Sequence, residues 1–134
     1  MSHKTIFEFN GHTAYFDIGD ADLSEKYEKA IDILAEDEKS LPKDGKISAI
    51  TKAQCAMIRK FFDNCLGKGK GKDFCTLNDE ENGVHSENNI GFHYEAYYAF
   101  INFVAGQKND LLSYKNTYSQ YSNRQQRRAA SKKK

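Results

Sequence analysis

A single proline, Pro42, stands in 134 residues. Around it, three long stretches repeat apolar residues at helical spacing. Proline breaks helices from within, so its scarcity leaves long helices open to this chain. From about residue 22 to 40, Leu23, Tyr27, Ala30, Ile31 and Leu34 share one helical face, with Glu28, Lys29, Asp32, Glu36 and Lys39 opposite. Asp22 and Glu25 have capping-box spacing at its start, and Pro42, Asp44 and Gly45 end it. A second helix is predicted over about 48–66, where Ile50, Ala53, Met57, Ile58, Phe61, Phe62 and Cys65 form a broad apolar stripe that stops at Gly67. A third covers about 93–118, with Tyr94, Tyr97, Tyr98, Ile101, Val104, Ala105, Leu111, Leu112 and Tyr118 in helical period. Gly106 and Asn109 weaken its centre by about 1 kcal/mol relative to alanine, enough to admit a bend.

The N-terminus reads differently. Thr5 to Phe9 and His12 to Phe16 are rich in strand formers, and Asn10-Gly11 lies between them. Asn-Gly between two such runs is a strong hairpin signal, which predicts strands over about 4–9 and 12–17. The expected fold class is therefore α+β and predominantly α: a hairpin, three amphipathic helices, then a basic tail. Residues 1–120 form one expected domain. The hairpin must lie on an apolar surface, and its open edge could pair with a second copy of the chain.

The tail, 121–134, reads YSNRQQRRAASKKK, with six basic residues and no acid. Of 20 basic residues in the chain, the remaining 14 face all 19 acidic ones, so an acidic body of net charge −5 carries a cationic, expectedly disordered arm. Arg124, Arg127, Arg128, Lys132, Lys133 and Lys134 are its candidate contacts, to a protein partner or to RNA. Arg124, Arg127 and Arg128 would share a face if the arm folded as a helix on RNA. Nucleic acid is expected nowhere else on the chain.

No apolar run approaches a membrane span, and the first twelve residues lack the apolar stretch of a signal peptide. Cys55, Cys65 and Cys75 are odd in number and evenly spaced, which argues against a disulfide framework and for a reducing cytoplasm.

Residues 67–91 read as a loop, with Phe74, Cys75 and Leu77 expected to pin its middle to the core. Its motifs fall short of chemistry. The Gly67–Asp73 run lacks the spacing, the Ser or Thr and the preceding strand of a phosphate-binding loop. Asn78–Asn89 resembles a calcium loop, but Asn89 replaces the bidentate glutamate. Cys65, Cys75 and His85 recur every ten residues and make no zinc knuckle. The reading is of a protein with no metal site, cofactor or catalytic residue.

Three segments carry a family resemblance: AMIRKFFDNCLGKGKGKDFC (Ala56 to Cys75), FHYEAYYAFINFVAGQ (Phe92 to Gln107) and NRQQRRAA (Asn123 to Ala130). With the β-rich N-terminus and the first amphipathic helix, they make the chain similar to the small tail proteins of long-tailed phages and prophages of Gram-positive bacteria, in particular their tail assembly chaperones. Leu66-Gly67 stands where that family's turn has Phe-Gly. The resemblance implies a non-enzymatic protein of the bacterial host cytoplasm that binds the long, helical tape measure protein before the tail tube polymerises around it. Phe61, Phe62, Tyr97, Ile101 and Val104 are then the expected client contacts, because amphipathic helices can offer part of an apolar stripe to a partner helix. A structural component that stays in the virion and a small RNA-binding protein are the alternatives. The Lys132–Lys134 run would also suit an A-rich slippery codon stretch, from which a longer frameshifted product could arise.

Overall fold

The computed structural model of the chain describes residues 4–132, with side chains described as far as Gln120. Its first element is the expected hairpin. Strands β1 (Ile6–Phe9) and β2 (His12–Tyr15) pair antiparallel, Ile6 opposite Tyr15 and Phe9 opposite His12. Asn10 and Gly11 both have positive φ, 56° and 73°, the pair of left-handed residues that a two-residue hairpin turn requires. Asn10 has a second task. Its side-chain amide donates to the carbonyls of Asp73 and Thr76, at 3.0 and 2.8 Å, so the turn docks on the end of a short helix described below.

Helix α1 (Ala21–Lys39) follows. Its cap is Asp20 rather than Asp22: the Asp20 carboxylate accepts from the backbone of Asp22 at 2.9 Å and of Leu23 at 3.4 Å. Helix α2 (Ile47–Leu66) packs on α1 and ends at Gly67, whose φ of 119° few side chains would tolerate. Lys60 of α2 pairs with Asp37 of α1 at 3.1 Å across the seam.

The segment read as a loop has structure of its own. Gly69 opens the short helix α3 (Lys70–Cys75). Strands β3 (Leu77–Asp79) and β4 (Val84–Ser86) then form a second antiparallel hairpin. In the glycine-lysine run, Gly71 serves packing. A Cβ on Gly71 would lie 2.3 Å from the carbonyl oxygen of Arg59, so α3 can approach α2 this closely only with glycine there. The Gly71 amide donates to Asp63 at 2.8 Å. The calcium-like segment is the second hairpin itself: Asp79 accepts from both the backbone and the side-chain amide of Asn82, and Asn78 meets His85 across the strands. Phe74 and Cys75 are buried, and Leu77 is half-buried.

Helix α4 (Ile90–Lys132) runs 43 residues, about 65 Å at 1.5 Å per residue. It begins three residues earlier than predicted, where the Asn89 side chain accepts from the amide of Phe92. It passes Gly106 and Asn109 without a break and continues through the basic segment expected to be disordered. From Ser113 to Lys132 the sequence has neither glycine nor proline and includes strong helix formers such as Gln126, Arg127 and Ala129, which accounts for the extension.

Phe100 of α4 is the hub of the core. Its ring meets Phe7 and Phe16 of the hairpin edge-on, at 5.2 and 5.3 Å, and those of Phe61 and Phe62 at 6.0 and 5.8 Å. Aromatic pairs favour such tilted geometry, which adds to the burial of their area. Through this ring α4 joins the hairpin to α2. Among the described residues no helix is long and apolar enough to cross a membrane.

Candidate functional site: the faces of the long helix

Two buried polar residues fix how α4 sits. His93, at its first turn, uses both ring nitrogens: Nδ1 faces the carbonyl of Asn89 at 2.7 Å, and Nε2 lies 3.0 Å from the Arg59 guanidinium. Arg59 also donates to the Glu87 carbonyl at 2.8 Å, clamping the end of the second hairpin to α2. Burial pushes the His93 pKa below 6.5; the hydrogen bond to Asn89 opposes this and the Arg59 charge adds to it. The neutral ring, protonated on Nδ1, is the form that can accept from Arg59. Four turns on, Gln107 ties the helix to both ends of the first hairpin. Its oxygen accepts from Ile18 at 2.9 Å, and its amide donates to Lys4 at 2.7 Å and to Phe16 at 2.6 Å.

These residues lie on a single stripe of α4: His93, Ala96, Phe100, Val104, Gln107, Leu111, Tyr114 and Tyr118, spaced by three and four. Up to Gln107 every member is buried. Leu111 is half-buried, its side chain 3.1 Å from where a Cβ on Gly19 would stand. Further along the stripe exposure rises, to 40% at Tyr114, which has a contact of its own, and to 73% at Tyr118. Leu112, on the neighbouring face, is 59% exposed. A core-facing stripe that outruns its core is a surface of the kind helices use to pair with other helices.

A second face carries Tyr94, Tyr97, Tyr98 and Ile101. With Leu34 and Glu38 of α1 and Met57 and Ile58 of α2, the three tyrosines line a groove of about 450 Å³. Burial pushes the Tyr94 and Tyr97 phenols up, and the nearby Glu38 and Tyr98 push the same way. The hydroxyls thus stay protonated, as hydrogen-bond donors, at neutral pH.

The five expected client contacts are divided by this geometry. Phe61, Phe62 and Val104 are sealed in the core and cannot meet a partner. Their helical period was correctly read, but periodicity identifies residues that share a face and not whether the fold covers it. Tyr97 and Ile101 are half-buried, at the rim. Leu112 and Tyr118, which share the helical period of this segment, are exposed. The backbone of Arg124, Arg127, Arg128 and Lys132 lies on α4; the side chains of these tail residues, and Lys133 and Lys134 altogether, lie outside the described residues.

The three cysteines are buried and unpaired. Burial pushes the Cys65 and Cys75 thiols up to about 12, which suits packing groups and not nucleophiles. Among the described residues no three His, Cys, Asp or Glu side chains are grouped to hold a metal ion.

No curated protein and no solved structure matches the chain. A family model does match, over residues 10–131, and the chain belongs to that family, DUF6673, a family of unknown function.

Proposed function

We propose that this protein is a non-enzymatic tail assembly chaperone of a long-tailed phage or prophage, acting in the bacterial cytoplasm to hold the helical tape measure protein in solution. The observation that carries the reading is the apolar stripe of α4 continuing past the body to the exposed Tyr118, with Leu112 beside it. A long helical client has apolar stripes of its own, and many weak chaperone copies along one such client gain from avidity. The groove lined by Tyr94, Tyr97 and Tyr98 offers a second apolar seat on the same helix. The resemblance of the Ala56–Cys75, Phe92–Gln107 and Asn123–Ala130 segments to tail assembly chaperones supplies the identity of the client.

Co-expression with the long helical tape measure product tests the proposal. The wild-type chain should keep the client soluble, and a Leu112→Lys, Tyr118→Lys variant should lose that effect while folding normally. A client equally soluble with the variant, or insoluble with the wild type, contradicts the proposal. Binding that collapses steeply with rising salt would instead indicate phosphate contacts through the basic arm.

A further inference from the structure

Among the described residues the first hairpin is a two-stranded sheet, so β1 pairs with β2 on one side only. On its other side, between β1 and α4, runs an open groove of about 840 Å³ bordered by Ile6, Glu8, Ala99, Phe103 and Gly106. The amide of Phe16 donates to Thr5 at 2.8 Å, which sets the phase of the ladder. With the observed register, Thr5, Phe7 and Phe9 aim their backbone groups at β2. Lys4, Ile6 and Glu8 must then aim theirs outward, into the groove, because hydrogen-bonding direction alternates along a strand. The Lys4 carbonyl accepts from the Gln107 amide, which donates to the Phe16 carbonyl as well, and it keeps a second lone pair.

We propose that a second copy of this chain pairs on that edge, β1 against β1 in antiparallel fashion, about a two-fold axis at Ile6. Only residues with outward-facing backbone groups can form the narrow pairs, and a two-fold at Ile6 uses all three: Ile6 opposite Ile6 of the other copy, and Lys4 opposite Glu8 twice. Each such pair exchanges two hydrogen bonds. The charge complementarity selects this register over a shift by one step. Shifting the axis to Phe7 pairs Ile6 with Glu8 and sets Lys4 opposite the turn residue Asn10, so neither charge meets its opposite.

The side chains agree with the backbone. Ile6 and its cross-strand neighbour Tyr15 are 54% and 56% exposed on the outer face of the hairpin, an unusual place for two large apolar residues side by side. In the paired form they make one row across four strands, Tyr15, Ile6, Ile6 and Tyr15, in which each isoleucine is covered on both sides. Ala99 and Gly106 on the groove side of α4 are small enough to admit the second copy. Lysine on a free edge usually blocks such pairing; here the glutamate four residues on meets it.

Sedimentation equilibrium of the full chain tests the contact. The wild type should have twice the 15.3 kDa chain mass at micromolar concentration. Glu8→Lys places like charges opposite each other twice and should raise the dissociation constant at least about tenfold. The swap Lys4→Glu, Glu8→Lys should restore it. Ile6→Pro removes an outward amide without touching the β1–β2 ladder and should also give monomer. A monomeric wild type, whatever else then docks on the edge, overturns the proposal. So does a dimer indifferent to Glu8→Lys, or one that the charge swap fails to restore.

Discussion

Gln107, midway along α4, donates its side-chain amide to the carbonyl of Phe16, 2.6 Å away and 91 residues earlier in the chain. The bond closes the fold. With the contacts to Lys4 and Ile18, it ties the strand ends of the hairpin to the long helix and leaves none of the amide's main bonding capacity unused. Gln107→Leu keeps the approximate volume and strands buried backbone groups. It should cost about 2–4 kcal/mol in urea unfolding, because unsatisfied buried partners cost more than the bonds themselves contribute. A loss below about 0.5 kcal/mol would mean that water replaces the amide.

His93 predicts an acid-side instability. Its native pKa lies below the unfolded value of 6.5 because burial disfavours the charged ring. The unfolded chain therefore binds the proton more readily. Stability from this site is complete above pH 6.5, falls as pH drops below that value, and levels off once the pH is below the native pKa. Unfolding free energy measured from pH 8 to pH 5 should show this decline, and His93→Gln should flatten it.

Gly71→Ala forces a methyl group to 2.3 Å from the Arg59 carbonyl oxygen, a contact with backbone that no rotamer change relieves. Thermal unfolding should show destabilisation of about 2 kcal/mol or more, within the range for overpacked sites. Alanine at the neighbouring exposed Gly69 has nothing to strike, and its cost should be the smaller one of a left-handed backbone, φ 89°.

The thiols give a further check on burial. Cys65 and Cys75, with pKa pushed up to about 12, should resist alkylation at pH 8 in the native protein and react once it is unfolded. Rapid native labelling of either would show that the core around Phe62 and Phe74 opens readily.

Much of this was legible in the residues, and the omissions have physical causes. Asn10-Gly11 announced the first hairpin because strand formers flank it on both sides. Asn82-Gly83 is the same dipeptide, and Gly83 has the same positive φ. Its flanking strands are three residues each and mostly polar, so the signal was lost in a charged stretch. Helix boundaries were found to within a few residues, except where α4 runs on into the basic segment. There, charge suggested disorder while composition favoured helix. The site was harder. On α4 the tyrosines drew attention, yet the covered face is the one about a quarter-turn away, through Phe100 and Gln107. A buried polar glutamine breaks the apolar pattern of its stripe, since its role depends on carbonyls 91 and 103 residues distant.

Phe61 and Phe62 separate packing from binding. Phe61→Ala or Phe62→Ala should each cost about 3–5 kcal/mol of stability, as truncations of fully buried rings do. Leu112→Ala and Tyr118→Ala should each cost less than about 0.5 kcal/mol, the usual range for exposed positions. Chemical denaturation of the four variants checks this division.

The most direct test of the central claim is amide hydrogen exchange across α4, with and without the helical tape measure client. Beyond Leu111 most described residues of the helix are exposed, and exchange there should be fast in the free protein. Client binding should slow exchange over residues 112–120 and leave the buried turn around Phe100 unchanged. Unaltered exchange in that outer segment, with the client demonstrably bound, would contradict the account.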